Sequence, residues 1–301
     1  MEKTLVVIAG PTAIGKTGCG IKIARQLKTE IISADSRQIY RETVIGTAVP
    51  SVEELAMVPH HFIQTISIKE TYNASLYEHQ VLDSLDILFQ EKDVVLLVGG
   101  SGLYIDAVCQ GIDDLPKTNP ELRSNLRLRH EKEGLESLVQ ELQRIDPISY
   151  HRIDLKNHMR VLKALEVSIN SGKPYSSFLS DTPKKRPFKI LKIALDMERE
   201  KLYDRINQRV VNMMKSGLLE EVTQLQHLRE YSALKTVGYS ELFRYLDGEV
   251  PLEEAEDLIK RNSRKFARKQ LTWFRKGNLY QWFSPEDITG IIQWIEENRR
   301  Q

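Results

Sequence analysis

Residues Gly10, Pro11, Thr12, Ala13, Ile14, Gly15, Lys16 and Thr17 spell G-x-x-x-x-G-K-[ST], a pattern suited to gripping a polyphosphate. Glycines let backbone N–H groups turn inward, Lys16 adds a point charge, and Thr17 offers a hydroxyl to Mg²⁺. A helix starting near Lys16 would add about half a unit of positive charge at its N-terminus. The chemistry implied is transfer on or from a diphosphate, and the motif leaves open whether the guest is ATP, GTP or another diphosphate ester. A nucleotide-hydrolysing site usually places an acid at the end of a neighbouring apolar strand. Here Val94-Val95-Leu96-Leu97-Val98 runs instead into Gly99-Gly100-Ser101-Gly102. The carboxylate closes a different apolar run, Ile31-Ile32-Ser33-Ala34, as Asp35. A parallel sheet binds ligands at the carboxyl ends of its strands, so Asp35 is placed to hold a metal or to take a proton.

Positioning these groups requires a sheet. Leu5–Ala9, Ile31–Ala34, Phe62–Ile66, Val94–Val98 and Ile190–Leu195 have strand length and are separated mostly by helix-like stretches, the rhythm of an α/β fold. The expectation is a P-loop NTPase-like parallel sheet flanked by helices. The fourth and fifth runs stand about ninety residues apart, far beyond an ordinary crossover. Residues 119–183 therefore read as an inserted all-helical subdomain, and 1–118 with 184–301 as the catalytic core. Beyond the fifth strand, Leu202, Ile206, Val210 and Met213 mark a helix face ending near Gly217, with two more helical segments to about Lys276. Arg205 and Arg209 lie one turn apart at the border of that face. Periodicity lets either of them serve a site, or both form a solvated face.

A chain of 301 residues can bury a core without disulfide or metal staples. Its 43 basic and 42 acidic residues leave a net charge of +1, so a charged partner must meet a local patch rather than a global field. Such a patch exists between 261 and 276: Arg261, Arg264, Lys265, Arg268, Lys269, Arg275 and Lys276, without one acid. Phosphate contact there would give salt-dependent affinity without sequence reading. No apolar run approaches the ~20 residues of a membrane span. The N-terminal apolar segment meets Gly10-Pro11 too soon for a signal-peptide core. Only Cys19 and Cys109 occur, in no metal-binding spacing, so a reduced, cytoplasmic setting is expected. Adjacent His60 and His61 would face opposite ways in an extended segment and are expected to be loop structure. Trp273, Trp282 and Trp294 are expected to be core anchors.

Several blocks, taken in order, resemble the tRNA dimethylallyltransferase (IPP transferase) family. They are the phosphate loop, Asp35-Ser36-Arg37-Gln38-Ile39-Tyr40, Gly46-Thr47-Ala48-Val49-Pro50, Val58-Pro59-His60-His61, Val98-Gly99-Gly100-Ser101-Gly102-Leu103-Tyr104, Ala164-Leu165-Glu166-Val167, Val237-Gly238-Tyr239 and Ala267-Arg268-Lys269-Gln270-Leu271-Thr272-Trp273-Phe274. The chain departs from the family pattern with Ile14 for Ser, Val49 for Lys, Ser101 for Thr, and Arg268-Lys269 for Lys-Arg. The resemblance implies transfer of a dimethylallyl group from dimethylallyl diphosphate to N6 of the adenosine 3′ of the anticodon in tRNA. On that reading the phosphate loop cradles the donor's diphosphate with Mg²⁺ on Thr17. Asp35 is the general base, and Thr12 and Arg209 stabilise the leaving pyrophosphate. The expected tRNA contacts are Asp35, Ser36, Arg37, Gln38, Ser101, Arg123, Met159, Arg160, Val161, Leu162, Lys163, Arg264, Arg268, Lys269 and Gln270. Gln38 suits an adenine edge. The insertion, with Lys184, Lys185 and Arg186 at its end, would clasp the anticodon stem-loop, and the enzyme is expected to act as a monomer. The rivals are a P-loop small-molecule kinase, an adenylate prenyltransferase acting on free nucleotide, and a non-catalytic RNA-binding module.

Overall fold

The computed structural model describes residues 2–116, 119–180 and 182–300. They divide into two compact units, one comprising residues 1–110 with 185–301 and the other 111–184. The expected core edge at residue 118 lies outside the described residues.

The larger unit is built on a six-stranded, wholly parallel sheet. Its strands are β1 (Thr4–Ala9), β2 (Ile31–Ala34), β3 (His60–His61), β4 (Val94–Gly99), β5 (Lys189–Leu195) and β6 (Gln281–Phe283), in the order β3-β2-β4-β1-β5-β6. Every residue of β1, β2 and β4 is buried, which is why these runs, Thr4 and Ser33 apart, are apolar on both faces rather than alternating. The N-terminal helices are α1 (Lys16–Leu27), α2 (Val52–Met57), α3 (Ala74–Glu91) and α4 (Gly102–Gln110). The smaller unit contributes α5 (Pro120–Ile145), α6 (Pro147–Arg152) and α7 (His158–Ser171). The chain then returns to the larger unit through α8 (Arg199–Lys215), α9 (Leu218–Gln224), α10 (Tyr239–Leu246), α11 (Leu252–Arg275) and α12 (Ile288–Arg299).

Register decides where chemistry can happen. Ala9 pairs with Gly99, and Gly99 with Ala34, so β1, β4 and β2 end in one row. The phosphate loop, the Gly100–Ser101 turn and Asp35 therefore leave the sheet side by side. After β1 the chain crosses to β2 on one side, and after β4 it crosses to β5 on the other. The gap between β1 and β4 is thus the switch point at which open α/β sheets hold ligands.

Four expectations need correction. Phe62–Ile66 is not a strand, because Phe62 and Gln64 have φ of 63° and 52°, outside the β region. The pairing segment is His60–His61, so these histidines form an edge strand, with His60 Nδ1 at 2.7 Å from the Val58 carbonyl and His61 Nε2 at 2.8 Å from Glu30. β6 was not foreseen, since three residues carry no usable periodicity. Three α-helices, not two, separate Gly217 from Lys276, because α9 is only seven residues long.

In the smaller unit, Leu126, Leu138, Leu142, Val161 and Leu165 form a separate core. Helix starts are fixed by Asn119 with Pro120 behind it, by Asp146 and by Asn157, each side chain accepting backbone N–H groups. Gly134, at φ 80°, kinks α5.

Candidate active site

A cleft of about 750 Å³ opens at the switch point. Its floor is the phosphate loop and the start of α1. Gly15 caps α1 at φ 103°, a conformation natural to glycine, and no side chain caps the helix and no acid stands in its first turn. The orphan N–H groups of the first turn therefore face the cleft without a protein acceptor. Not every N–H in the loop is available. Pro11 has none, the Ile14 N–H turns back to the Pro11 carbonyl at 3.4 Å, and the Thr12 N–H donates to Gln270 Oε1 at 2.9 Å. The cradle is left to Ala13 and to Gly15 through Thr17. Ile14 itself is fully buried in the core cluster, with no exposed surface, so the core accommodates isoleucine where the family pattern has serine.

Lys16 donates to the Pro11 carbonyl at 2.8 Å. Burial pulls its ammonium down to about 8; Asp35 opposes the shift and Arg209 adds to it. Arg209 is likewise lowered by burial and supported by Asp35, so these three charges form one electrostatic group. Both Arg205 and Arg209 line the cleft. The Arg209 guanidinium lies against the Thr47 carbonyl at 3.4 Å, whereas an Arg205 nitrogen stands over Gly15, 3.2 Å from where a Cβ there would sit. The pair is thus split, Arg205 toward the phosphate loop and Arg209 toward the 44–48 loop, rather than stacked on one spot.

Asp35 is held by its own turn. Its Oδ1 accepts the N–H groups of Arg37 and Gln38 at 2.9 and 3.3 Å, and Oδ2 has no hydrogen bond among the described residues. Ser101 Oγ binds the N–H and the hydroxyl of Ser36 at 2.9 and 3.1 Å, fixing that turn to the end of β4. Where a nucleotide-hydrolysing enzyme would place an acid after this strand, Gly99 has no room: a Cβ there would lie 2.1 Å from the Ala34 carbonyl.

The opposite wall is the 44–48 loop, clamped by a residue that sequence spacing does not reveal. Glu221 accepts the N–H groups of Val44, Ile45 and Gly46 at 2.8–3.0 Å and the Tyr239 hydroxyl at 2.6 Å. Gly46 packs against the Tyr239 ring so closely that a Cβ would come within 2.6 Å. Tyr239 falls in one of the family-like blocks, but Glu221, some 175 residues from its loop, gave no signal. Neither thiol is a nucleophile here, since burial pushes Cys19 and Cys109 up to about 12.

The remaining tRNA candidates scatter. Arg268 and Lys269 are exposed on α11, but Gln270 is buried at 8% exposure. Arg264 is turned inward to Asn207 and lies over the Tyr203 ring. Arg37 donates to the Ser232 and Ala233 carbonyls, and Gln38 Nε2 to those of Thr47 and Ala48. Gln38, expected to read an adenine edge, has its amide nitrogen committed to this loop. In the smaller unit Met159 and Arg160 are exposed and Lys163 is partly so, but Val161 and Leu162 are core residues. A five-residue helical run cannot present every side chain to one partner. Arg123 is held at 3.4 Å by the buried Glu166. Arg186, expected at the RNA surface, instead tucks its side chain into the larger unit at 8% exposure, paired with Glu78 at 2.7 Å. Trp273 is corrected as well: it is 42% exposed, with Nε1 donating to Asp106 at 2.9 Å.

Fold and cleft define a P-loop α/β protein whose anion cradle faces a carboxylate and two arginines. The family model described as IPP transferase matches residues 38–277. A tRNA dimethylallyltransferase of Phocaeicola vulgatus is 50% identical over 98% of both chains. The crystal structure of a tRNA isopentenylpyrophosphate transferase from Bacillus halodurans covers all of this chain and 97% of its own, with 36% identity and a TM-score of 0.72. The same fold recurs, at 21% identity and a TM-score of 0.80, in a eukaryotic dimethylallyltransferase acting on tRNA, over 98% of this chain and 77% of that one. The chain belongs to the IPP transferase family.

Proposed function

We propose that the protein is a tRNA dimethylallyltransferase, joining the dimethylallyl group of dimethylallyl diphosphate to N6 of the adenosine 3′ of the anticodon and releasing pyrophosphate. The observation that carries this reading is the pairing of an uncapped anion cradle with Asp35 across one cleft, in a sheet whose β4 has no room for a hydrolytic acid.

The adenine amine is a weak nucleophile because its lone pair is delocalised into the ring. As that pair attacks the allylic carbon, the C–O bond to the diphosphate breaks and its electrons leave with the pyrophosphate. The amine proton passes to Asp35, whose Oδ2 is uncommitted while Oδ1 holds the turn. Charge growing on the leaving group meets Lys16, Arg209 and the N–H groups of the α1 start, which are already oriented; Thr12 stands at the same loop. Arg205 stands over Gly15 of the phosphate loop.

The donor set also fits Mg²⁺. No group of three acidic, histidine or cysteine side chains that could cage a metal occurs among the described residues, and Mg²⁺ commonly relies on substrate phosphates, water and one or two protein oxygens. Thr17 lines the cleft as one such oxygen. Bound there, the ion would shield the pyrophosphate charge.

For tRNA, Arg268 and Lys269 on α11, Ser36 and Ser101 at the cleft, and Arg123, Arg160 and Lys163 on the helical unit are the cationic and polar groups that support contact. The target base must leave its stack to reach Asp35, which is easier in a hairpin loop than in a duplex. Among the described residues no helix is long and apolar enough to cross a membrane. Because its proposed substrate is tRNA, we place the enzyme in the cytoplasm, acting as a monomer. The test is incubation of an unmodified anticodon stem-loop with dimethylallyl diphosphate and Mg²⁺, followed by nucleoside analysis. Prenylated adenosine is expected only when adenosine follows the anticodon. Modification of free AMP with an unmodified stem-loop would refute the assignment.

A further inference from the structure

Gln270 joins the two halves of the site. It comes from α11, is 8% exposed, and stands between the phosphate loop and the turn after β4. Its Oε1 accepts the Thr12 N–H and its Nε2 donates to the Gly100 carbonyl, both at 2.9 Å. The amide orientation is not in doubt chemically, because a backbone N–H can only donate and a carbonyl can only accept. Gly100 has no side chain for a reason: a Cβ would lie 2.4 Å from Gln270 Nε2.

The connections continue on both sides. Gly100 precedes Ser101, whose hydroxyl holds Ser36, the neighbour of Asp35. Thr12 lies in the loop that would grip the leaving group. One side-chain amide thus bridges the diphosphate cradle and the acceptor turn, at the β1–β4 gap where no ladder hydrogen bond continues beyond Ala9 and Gly99. Resting on the proposed function, we infer that Gln270 is a positioning residue for transfer, setting the separation of leaving group and base, rather than a group that contacts tRNA. Both ends of its amide are engaged within the protein and the residue is 8% exposed, so little of it is left for RNA to reach.

The role demands an acceptor and a donor on one planar group. Gln270→Glu keeps the acceptor for Thr12, but its carboxylate cannot donate to Gly100. When protonated, the same side chain recovers the donor and is nearly isosteric with glutamine. Burial raises a carboxyl's pKa and the nearby Lys16 ammonium opposes it; burial outweighs charge for Lys16 in the same place, so recovery should begin above the usual glutamate range. Gln270→Met fills the space and supplies neither bond at any pH.

The experiment measures single-turnover transfer at saturating tRNA and donor for wild type and both variants from pH 5.5 to 8, with tRNA affinity and melting temperature recorded alongside. Near pH 8 both variants should transfer at least tenfold more slowly than wild type, a loss on the scale of about 1.4 kcal/mol per decade, with tRNA affinity changed less than about threefold. Toward pH 5.5 the Gln270→Glu rate, divided by that of wild type, should recover at least severalfold, while the Gln270→Met ratio stays flat. Dividing by wild type removes the pH dependence that the enzymes share, and Gln270→Met, which adds no charge, serves as the control. Weaker tRNA binding with an unchanged transfer rate would overturn the inference and make Gln270 an RNA contact. Equal, pH-independent losses in the two variants would reduce it to packing and also overturn it. If Gln270→Glu does not fold, Gln270→Met alone decides between slower transfer and weaker tRNA binding. Should wild type itself fail to prenylate RNA, the functional assignment falls instead, a separate result.

Discussion

Asp35 carries the heaviest demand of any single side chain, because one of its oxygens must hold a turn while the other takes a proton. Replacing it by Asn keeps the acceptor for Arg37 and Gln38 N–H and removes the basicity. Asp35→Asn is expected to slow single-turnover transfer by about 10²–10⁴ with tRNA affinity nearly unchanged, measured by rapid quench and filter binding. Lys16 gives a second, pH-dependent expectation. Because burial leaves its ammonium at about 8 in the free enzyme, about half of it has lost its proton at that pH and most of it above, and a bound diphosphate must restore it. Donor binding then takes up a proton, and affinity falls as pH rises, approaching tenfold per unit above about 8. Titration calorimetry with pyrophosphate at pH 7, 8 and 9 should show this fall in wild type. The extra slope should vanish in Lys16→Arg, whose guanidinium stays charged; parallel curves would argue that Lys16 is not in the cradle.

Among the elements, α11 serves two masters. Its inner residues Ala267, Gln270 and Phe274 are buried, while Arg268 and Lys269 stand in solvent. Reversing both charges with Glu should weaken tRNA binding and lower the slope of log affinity against log salt by about 1–2. Arg264→Ala should change that slope less, because its guanidinium is turned onto Asn207 and Tyr203. A slope unchanged in the double variant would make the exposed side of α11 a solvated face. The contrast between these arginines shows where sequence reading stops. The acid-free run of seven cations was legible, as was the 3.6-residue stripe beneath it, but which cations bend inward depends on partners 57 residues away. The phosphate loop and Asp35 were legible because each is local: a strand, a turn and a helix start in consecutive residues. Phe62–Ile66 misled because an apolar run looks the same whether or not its φ angles permit pairing. Glu221 and the bridging role of Gln270 were invisible for the opposite reason, since their partners lie 175 and 258 residues distant.

At the scale of the whole molecule, the wide separation of β4 from β5 was readable as an insertion from counting alone, and the return into the core is secured by a buried ion pair. Arg186 binds Glu78 at 2.7 Å and donates to the carbonyls of Ala107 and Val108, all within the larger unit. Glu78→Ala would strand a guanidinium inside and is expected to destabilise that unit by about 3–5 kcal/mol, read from urea unfolding. A loss below about 1 kcal/mol would mean that water reaches the pair. Everything in the larger unit converges on the row where β1, β4 and β2 end, and the account turns on what occupies it. The most direct measurement offers the enzyme dimethylallyl diphosphate labelled in its prenyl group together with ATP labelled in its terminal phosphate, in the presence of unmodified tRNA and Mg²⁺. The prenyl label should appear on the adenosine 3′ of the anticodon with stoichiometric pyrophosphate, and the ATP should remain intact. Consumption of ATP with a phosphorylated product, and tRNA left without the prenyl label, would contradict it.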